Sequence, residues 1–276
     1  AQTVAGVGTF KDALSMESVG AVSISPDGAT VAYTVQSTAW EENGYDSEIW
    51  IASPDGEPIQ LTRTLDGSSG SPAWSPDGRW LAFAASRGDK NQVFLISPRG
   101  GEAFPVTDVE QGVSRFAWSP EGGRLMLVVS DAAPEGMKAR SDLYGEFAFD
   151  DEVPPNAHLW VVTVDPRGEI AEARRLTEGD FHVSGFDWSP DGSQVAYVRV
   201  PDPGLISSAE SDIYVLDVAT AESRPLVTGP GSDGSPEWSP DGQWILFSEF
   251  DRDLGSSYYL NGELARIPSR GGDIEV

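Results

Sequence analysis

Trp74-Ser75-Pro76-Asp77-Gly78 decides how the rest of this 276-residue sequence is read. The stretch returns as Trp118-Ser119-Pro120-Glu121-Gly122, Trp188-Ser189-Pro190-Asp191-Gly192 and Trp238-Ser239-Pro240-Asp241-Gly242. A variant with Ile for Trp stands earlier, at Ile24-Ser25-Pro26-Asp27-Gly28. Counted from their Ser residues, the five copies are 50, 44, 70 and 50 residues apart. Pro presets the first central torsion of a tight turn, Asp suits the second, and Gly takes the left-handed position after them. Apolar runs flank every copy, so each is the tip of a β-hairpin.

Working outward from Trp74, the unit reads as four short strands. The first runs into Trp74, Trp80-Leu81-Ala82-Phe83-Ala84 makes the second, and Gln92-Val93-Phe94-Leu95-Ile96 the third. The turn Ser97-Pro98-Arg99-Gly100-Gly101 leads to a fourth ending at Pro105-Val106-Thr107. Third strands recur at Glu48-Ile49-Trp50-Ile51, His158-Leu159-Trp160-Val161-Val162, Asp212-Ile213-Tyr214-Val215-Leu216 and Glu263-Leu264-Ala265-Arg266-Ile267. Several of these strands are apolar without alternation, which means burial on both faces. Antiparallel four-stranded sheets covered on both sides, repeating every ~40–50 residues, are the blades of a β-propeller. The fold class is therefore all-β. The repeated Trp is expected to fill the space between adjacent blades.

The expected organisation is a lead-in over 1–20, then blades at 21–63, 64–108, 109–178, 179–228 and 229–276. Within the lead-in, Phe10 to Met16 has the pattern of one or two helical turns. The third blade carries an insert of about 25 residues at 131–157, acidic and aromatic, with Tyr144, Glu146, Phe147, Phe149, Asp150, Asp151 and Glu152. It reads either as a solvated excursion or as a loop facing substrate or another domain. A smaller insert, Gln36 to Ser47, is expected in blade 1 with Trp40-Glu41-Glu42-Asn43. The last unit stops as a fourth strand begins at Gly271 to Val276, so the chain reads as five visible blades of a longer propeller.

The net charge of −26, from 18 basic and 44 acidic residues, sets nucleic acid and anionic membranes aside as partners. No apolar run approaches the ~20 residues of a membrane helix. There is no cysteine, hence no disulfide and no thiolate metal site. Ala1-Gln2 fits the end left by a signal peptidase, which favours export over the cytosol.

The turn motif with its apolar second strand and closing Leu-Thr resembles TolB-like repeats and the propellers of the prolyl oligopeptidase family of serine peptidases. Longer stretches favour the peptidases. Val22-Ser23-Ile24-Ser25-Pro26-Asp27-Gly28 with Val31-Ala32-Tyr33 resembles their opening blade, and Trp40-Glu41-Glu42-Asn43 followed by Glu48-Ile49-Trp50 its continuation. Tyr144-Gly145-Glu146-Phe147, His158-Leu159-Trp160 and Phe186-Asp187-Trp188-Ser189-Pro190 are similar to the third and fourth blades of the bacterial acylaminoacyl-peptidase-like branch. The resemblance implies a seven-bladed propeller set over a C-terminal α/β-hydrolase domain that carries a Ser, Asp and His triad. The propeller would admit only short peptides. No Gly-x-Ser-x-Gly elbow occurs in this sequence, and its only histidines are His158 and His182, so no catalytic residue is assigned. The TolB likeness leaves a second reading open, a non-enzymatic periplasmic binding scaffold, and a stand-alone interaction module is a third.

Within the peptidase reading, loop carboxylates are the candidates for holding a free peptide amino terminus: Glu41, Glu42, Glu146, Asp150 and Asp151. His182 leads into a first strand and is a candidate substrate contact, whereas His158 reads as a satisfied, partly buried imidazole. Arg252, in Asp251-Arg252-Asp253, would hold a peptide carboxylate or, as the simpler reading, pair with its Asp neighbours. Two separated histidines give no metal-ligand spacing, and Ser53-Pro54-Asp55-Gly56 lacks the ligand pattern of a calcium loop. No metal and no cofactor are expected. The oligomeric state, a homo-oligomer included, stays open.

Overall fold

The repeated turns close on the same hydrogen bonds. In a computed structural model, which describes residues 8–276 except 42, 55, 65–66, 89, 146–151, 205–206, 230 and 252–261, each turn Gly donates its N–H to the turn Ser carbonyl at 2.8–2.9 Å. In the Asp copies, the Ser hydroxyl donates to the Asp carboxylate at 2.6–2.7 Å. The same oxygen accepts the N–H five residues on, from Thr30, Trp80, Gln194 and Trp244. Each turn thus satisfies its own backbone, and the hairpin needs no outside partner to reverse. The Glu121 copy differs. Its carboxylate turns to Arg124 at 2.7 Å, and Ser119 donates to the Arg124 carbonyl instead.

Five antiparallel sheets follow in chain order. Blade 1 holds β1 (Ser18–Ile24), β2 (Val31–Ala39), β3 (Gly44–Ala52) and β4 (Ile59–Gln60). Blade 2 holds β5 (Ser69–Trp74), β6 (Leu81–Ala85), β7 (Gln92–Ile96) and β8 (Phe104–Pro105). Blade 3 holds β9 (Arg115–Trp118), β10 (Arg124–Ser130), β11 (Ala157–Thr163) and β12 (Arg174–Arg175). Blade 4 holds β13 (His182–Trp188), β14 (Gln194–Val200), β15 (Asp212–Asp217) and β16 (Ser223–Val227). Blade 5 has three strands, β17 (Gly231–Trp238), β18 (Trp244–Asp251) and β19 (Glu263–Pro268), with Glu275 bridging to Arg266 at its edge. Helix α1 (Phe10–Leu14) is capped by a reciprocal Thr9–Asp12 box.

Blades 1 and 2, with the loop Asp165–Ile170, form one compact unit, and the rest of blade 3 with blades 4 and 5 a second. Within each unit, neighbouring blades stack through apolar faces. Trp74 packs with Ala32 and Ile49 of blade 1 and donates its indole N–H to the Ser23 carbonyl at 3.2 Å. Trp188 sits between Met126 and Leu159 of blade 3 and Val195 of blade 4. Trp238 closes the cluster in which Ile213 and Val215 of blade 4 meet Ile245 and Phe247 of blade 5. The expected inter-blade role of the Trp holds at these three positions.

Polar straps cross the same seams. Arg174 donates to the Val218 carbonyl of the next blade, Arg224 repeats this one blade on with Ser269, and Arg124 reaches the Gly192 carbonyl at 2.9 Å. First strands are also bulged alike: Ser71 and Ser235, each in Gly-Ser-Pro, have φ of +51° and +50° where the register shifts.

Two expectations about local structure change. Gln36 to Ser47 is a hairpin and not an insert, because β2 and β3 stay paired from Gln36↔Ser47 to Ala39↔Gly44. The larger insert holds a helix, α2 (Glu135–Tyr144), which buries none of its residues.

Candidate functional site

In every blade the Ser-Pro-Asp or Ser-Pro-Glu turn joins the first and second strands. The long excursions join the second and third strands, at the opposite end. The largest leaves β10 after Ser130 and rejoins β11 at Ala157. Its foot is closed by the Asp131 N–H donating to the Asn156 carbonyl at 2.7 Å, and α2 is tied to the returning chain by an Arg140–Glu152 ion pair at 2.6 Å.

Both histidines gather beneath this excursion. Asp131 accepts from Arg175 Nη2 at 3.0 Å on one oxygen and lies 3.4 Å from His158 Nε2 on the other. His158 is fully buried, edge-on to Phe181 with ring centroids 5.1 Å apart. His182 Nδ1 accepts the Ala157 backbone N–H at 3.0 Å, so the neutral ring carries its proton on Nε2. Burial pulls both histidines below the ordinary imidazole value. The Arg175 charge adds to this at His158, where Asp131 opposes it, and Asp202 opposes it at His182. A neutral His182 is a hydrogen-bond donor to a carbonyl, not a cation for a carboxylate.

Thr177, His158 and Asp131 form a row of hydroxyl, imidazole and carboxylate. It is a structural row. Thr177 Oγ1 accepts the Leu159 N–H at 2.9 Å and lies 3.3 Å from His158 Nδ1. Thr62 does the same with the Ile49 N–H and the Glu48 carboxylate, and Thr107 with the Val93 N–H and the Gln92 side-chain oxygen. His158 stands in the position that blades 1 and 2 fill with Glu48 and Gln92, so the hydroxyl serves as a strand latch and not as a nucleophile.

Glu41 lies in the first unit, exposed on the turn between β2 and β3. Trp40 beside it is half exposed and carries Lys11 Nζ at 5.4 Å from its ring centre, while Thr38 donates to the Leu14 carbonyl, which fixes α1 beside this hairpin. Glu42, Glu146, Asp150, Asp151 and Arg252 lie outside the described residues. Among the described residues, no group of three or more His, Asp or Glu side chains is arranged to hold a metal ion. Asp131 and Arg175 escaped the sequence reading, although each adjoins a feature it had marked: Asp131 opens the insert, and Arg175 precedes the closing Leu176-Thr177.

No family model matches the chain. An uncharacterised peptidase of Bacillus subtilis, YuxL, is 30% identical over 246 residues, covering 87% of this chain and 31% of its own length. Dipeptidyl-peptidase 5 of Porphyromonas endodontalis is 25% identical over 263 residues, covering 87% of this chain and 38% of that one. These relatives are peptidases. The chain spans about a third of their length. Among solved structures, the acylaminoacyl peptidase of Pyrococcus horikoshii superposes over 94% of this chain and 39% of its own, with a TM-score of 0.66 and 18% identity. A putative TolB from Agrobacterium tumefaciens superposes over 94% of this chain and 80% of its own, with a TM-score of 0.60 and 20% identity. The fold is that of the propeller domains of TolB and of these peptidases.

Proposed function

We propose that this chain is the propeller part of a serine peptidase, restricting entry so that short peptides reach a hydrolase domain elsewhere in the same protein. The observation that carries the reading is the similarity to YuxL over 87% of the chain while only 31% of that peptidase is matched. The remaining length of such a relative has room for the domain that does the chemistry. This chain's share of the work is selection. The carboxylates Glu41, Glu42, Glu146, Asp150 and Asp151 are proposed to bias binding toward a free amino terminus. His182 would donate a hydrogen bond to a peptide carbonyl, and Arg252 would meet a carboxylate. Seven blades in the whole protein and a location outside the cytosol belong to the same reading, the latter supported by the TolB likeness.

The second reading, a non-enzymatic TolB-like scaffold, is favoured by the 80% coverage of the putative TolB structure. A fluorophosphonate serine-hydrolase probe on the full-length protein separates the two. The peptidase reading expects a labelled species well above the 29.5 kDa of this chain. A full-length protein that takes no label, with a known serine hydrolase labelled alongside, favours the scaffold.

A further inference from the structure

Five residues before each repeated Trp, the first strand's run carries a buried side chain: Ser69, Val113, Val183 and Asp233, none more than 4% exposed. Blade 5 alone puts a carboxylate there. Asp233 donates its backbone N–H to the Ser211 carbonyl of blade 4 at 2.8 Å, so its side chain is held at the seam between the two blades. Across the sheet it pairs in register with Glu249, where the matching pairs are Ser69↔Ala85 and Val183↔Arg199. Asp212, the first residue of β15, follows Ser211 directly in blade 4 and acts on Asp233 electrostatically.

Three carboxylates therefore act on one another at this seam, whereas among the described residues Glu48 is the buried carboxylate at the seam between blades 1 and 2. Glu48 is engaged by the Thr62 hydroxyl at 2.5 Å and by the Thr64 N–H. Asp212 has the Gly229 N–H. Among the described residues Asp233 has neither a side-chain hydrogen bond nor an ion pair. Arg199, 3.9 Å from the Phe181 ring centre, eases Asp212. Around it, Glu263 follows Glu249 in register on β19, Glu210 ends the 3-10 turn Ser207–Glu210 against β17, and Arg115, which lines a cavity with Ser211 and Gly234, spends its guanidinium on the Ser184 carbonyl at 3.2 Å. The apolar contacts of Ile245 and Phe247 with Ile213 and Val215 adjoin this acidic end.

We propose that the seam between blades 4 and 5 is a pH-responsive joint, packed when Asp233 holds a proton and loosened when Asp233 is ionised beside Glu249 and Asp212. The inference stands on this seam alone and does not depend on the peptidase reading. Burial first, then Glu249 and Asp212, push the Asp233 carboxyl up to about 6. The folded state therefore binds a proton that the unfolded chain has released. Stability contributed here is present in acid and lost as pH rises through about 6.

The test is hydrogen exchange of the full-length protein, read by mass spectrometry on peptides spanning 231–251 at pH 5 and pH 8. Rates are corrected for intrinsic exchange. Protection in that segment is expected to be about tenfold lower at pH 8, while peptides over 69–85 keep theirs. Asp233→Asn and Asp233→Val, the latter installing the residue of blades 3 and 4, are expected to abolish the difference. Glu249→Gln keeps the buried Asp and is expected to shrink it. Protection equal at both pH values in the unsubstituted protein overturns the proposal, as does a loss that persists in all three variants.

Discussion

The Thr177 hydroxyl lies 3.3 Å from His158 Nδ1 while accepting the Leu159 N–H at 2.9 Å, and Thr107 repeats the arrangement with Gln92 and Val93. A Gln amide oxygen and an imidazole nitrogen thus do one job in two blades. His158→Gln is expected to fold normally, whereas Thr177→Val leaves a buried strand N–H without its acceptor and costs about 1–2 kcal/mol. Denaturant unfolding of the two variants side by side checks this.

The same histidine gives a pH dependence. Burial, and then the Arg175 charge, hold His158 below the ordinary imidazole value. The unfolded chain takes up a proton that the folded protein refuses, so stability falls as pH drops below about 6.5. This is opposite in sign to the effect of Asp233. A thermal melting series from pH 5 to pH 8 should show the acid-side fall reduced in His158→Gln.

The turns make a separate prediction. Ser75 Oγ is buried, donates to Asp77 at 2.7 Å and accepts the Trp80 N–H at 3.0 Å. Ser75→Ala is expected to cost about 1–2 kcal/mol. Gly78→Ala, at φ +66°, adds left-handed strain of roughly 1–2 kcal/mol. Urea unfolding gives both values. The Ser hydroxyl bonds, ahead of the backbone bonds, hold Asp27, Asp77, Asp191 and Asp241 below the ordinary carboxylate range. Their contribution is present above the unfolded-state value near 4 and is lost as pH falls through the depressed values. Asp191→Asn should therefore weaken the acid dependence of unfolding.

Much of this was legible in the sequence, because the turn chemistry is local. Ser, Pro, Asp and Gly at fixed offsets dictate a conformation whatever lies beyond, and the Trp before them recurs where stacking blades leave a gap. What the sequence withheld depends on neighbours. The Arg174 and Arg224 straps reach the next blade, so their role is fixed by a chain reversal about 45 residues on. The bulges at Ser71 and Ser235 impose a positive φ that strand propensity gives no hint of. Helix α2 buries nothing, so no apolar period marks it. At the candidate site, His182 was visible as the residue opening a first strand. The Asp131–Arg175–His158 group was not, because three separate strand ends bring it together.

His182 also yields a functional test. Its neutral ring presents Nε2–H as a donor, so in the full-length protein His182→Ala is expected to raise KM for a short peptide on the order of tenfold while kcat changes little. An unchanged KM would remove His182 from the binding surface.

Trp188 measures how far the blades depend on one another. It is 6% exposed between blades 3 and 4, and Arg124 covers its ring at 5.3 Å. Trp188→Ala is expected to cost about 3–5 kcal/mol, read from the shift in urea midpoint.

Cleavage of a peptide length series by the full-length protein tests the central claim most directly. Peptides of graded length and a folded protein bearing the same cleavable sequence would be compared by kcat/KM. A propeller that restricts entry predicts efficient cleavage of the short peptides, a steep fall with length, and no attack on the folded protein. Cleavage that is indifferent to length, or no cleavage of any peptide, would contradict it.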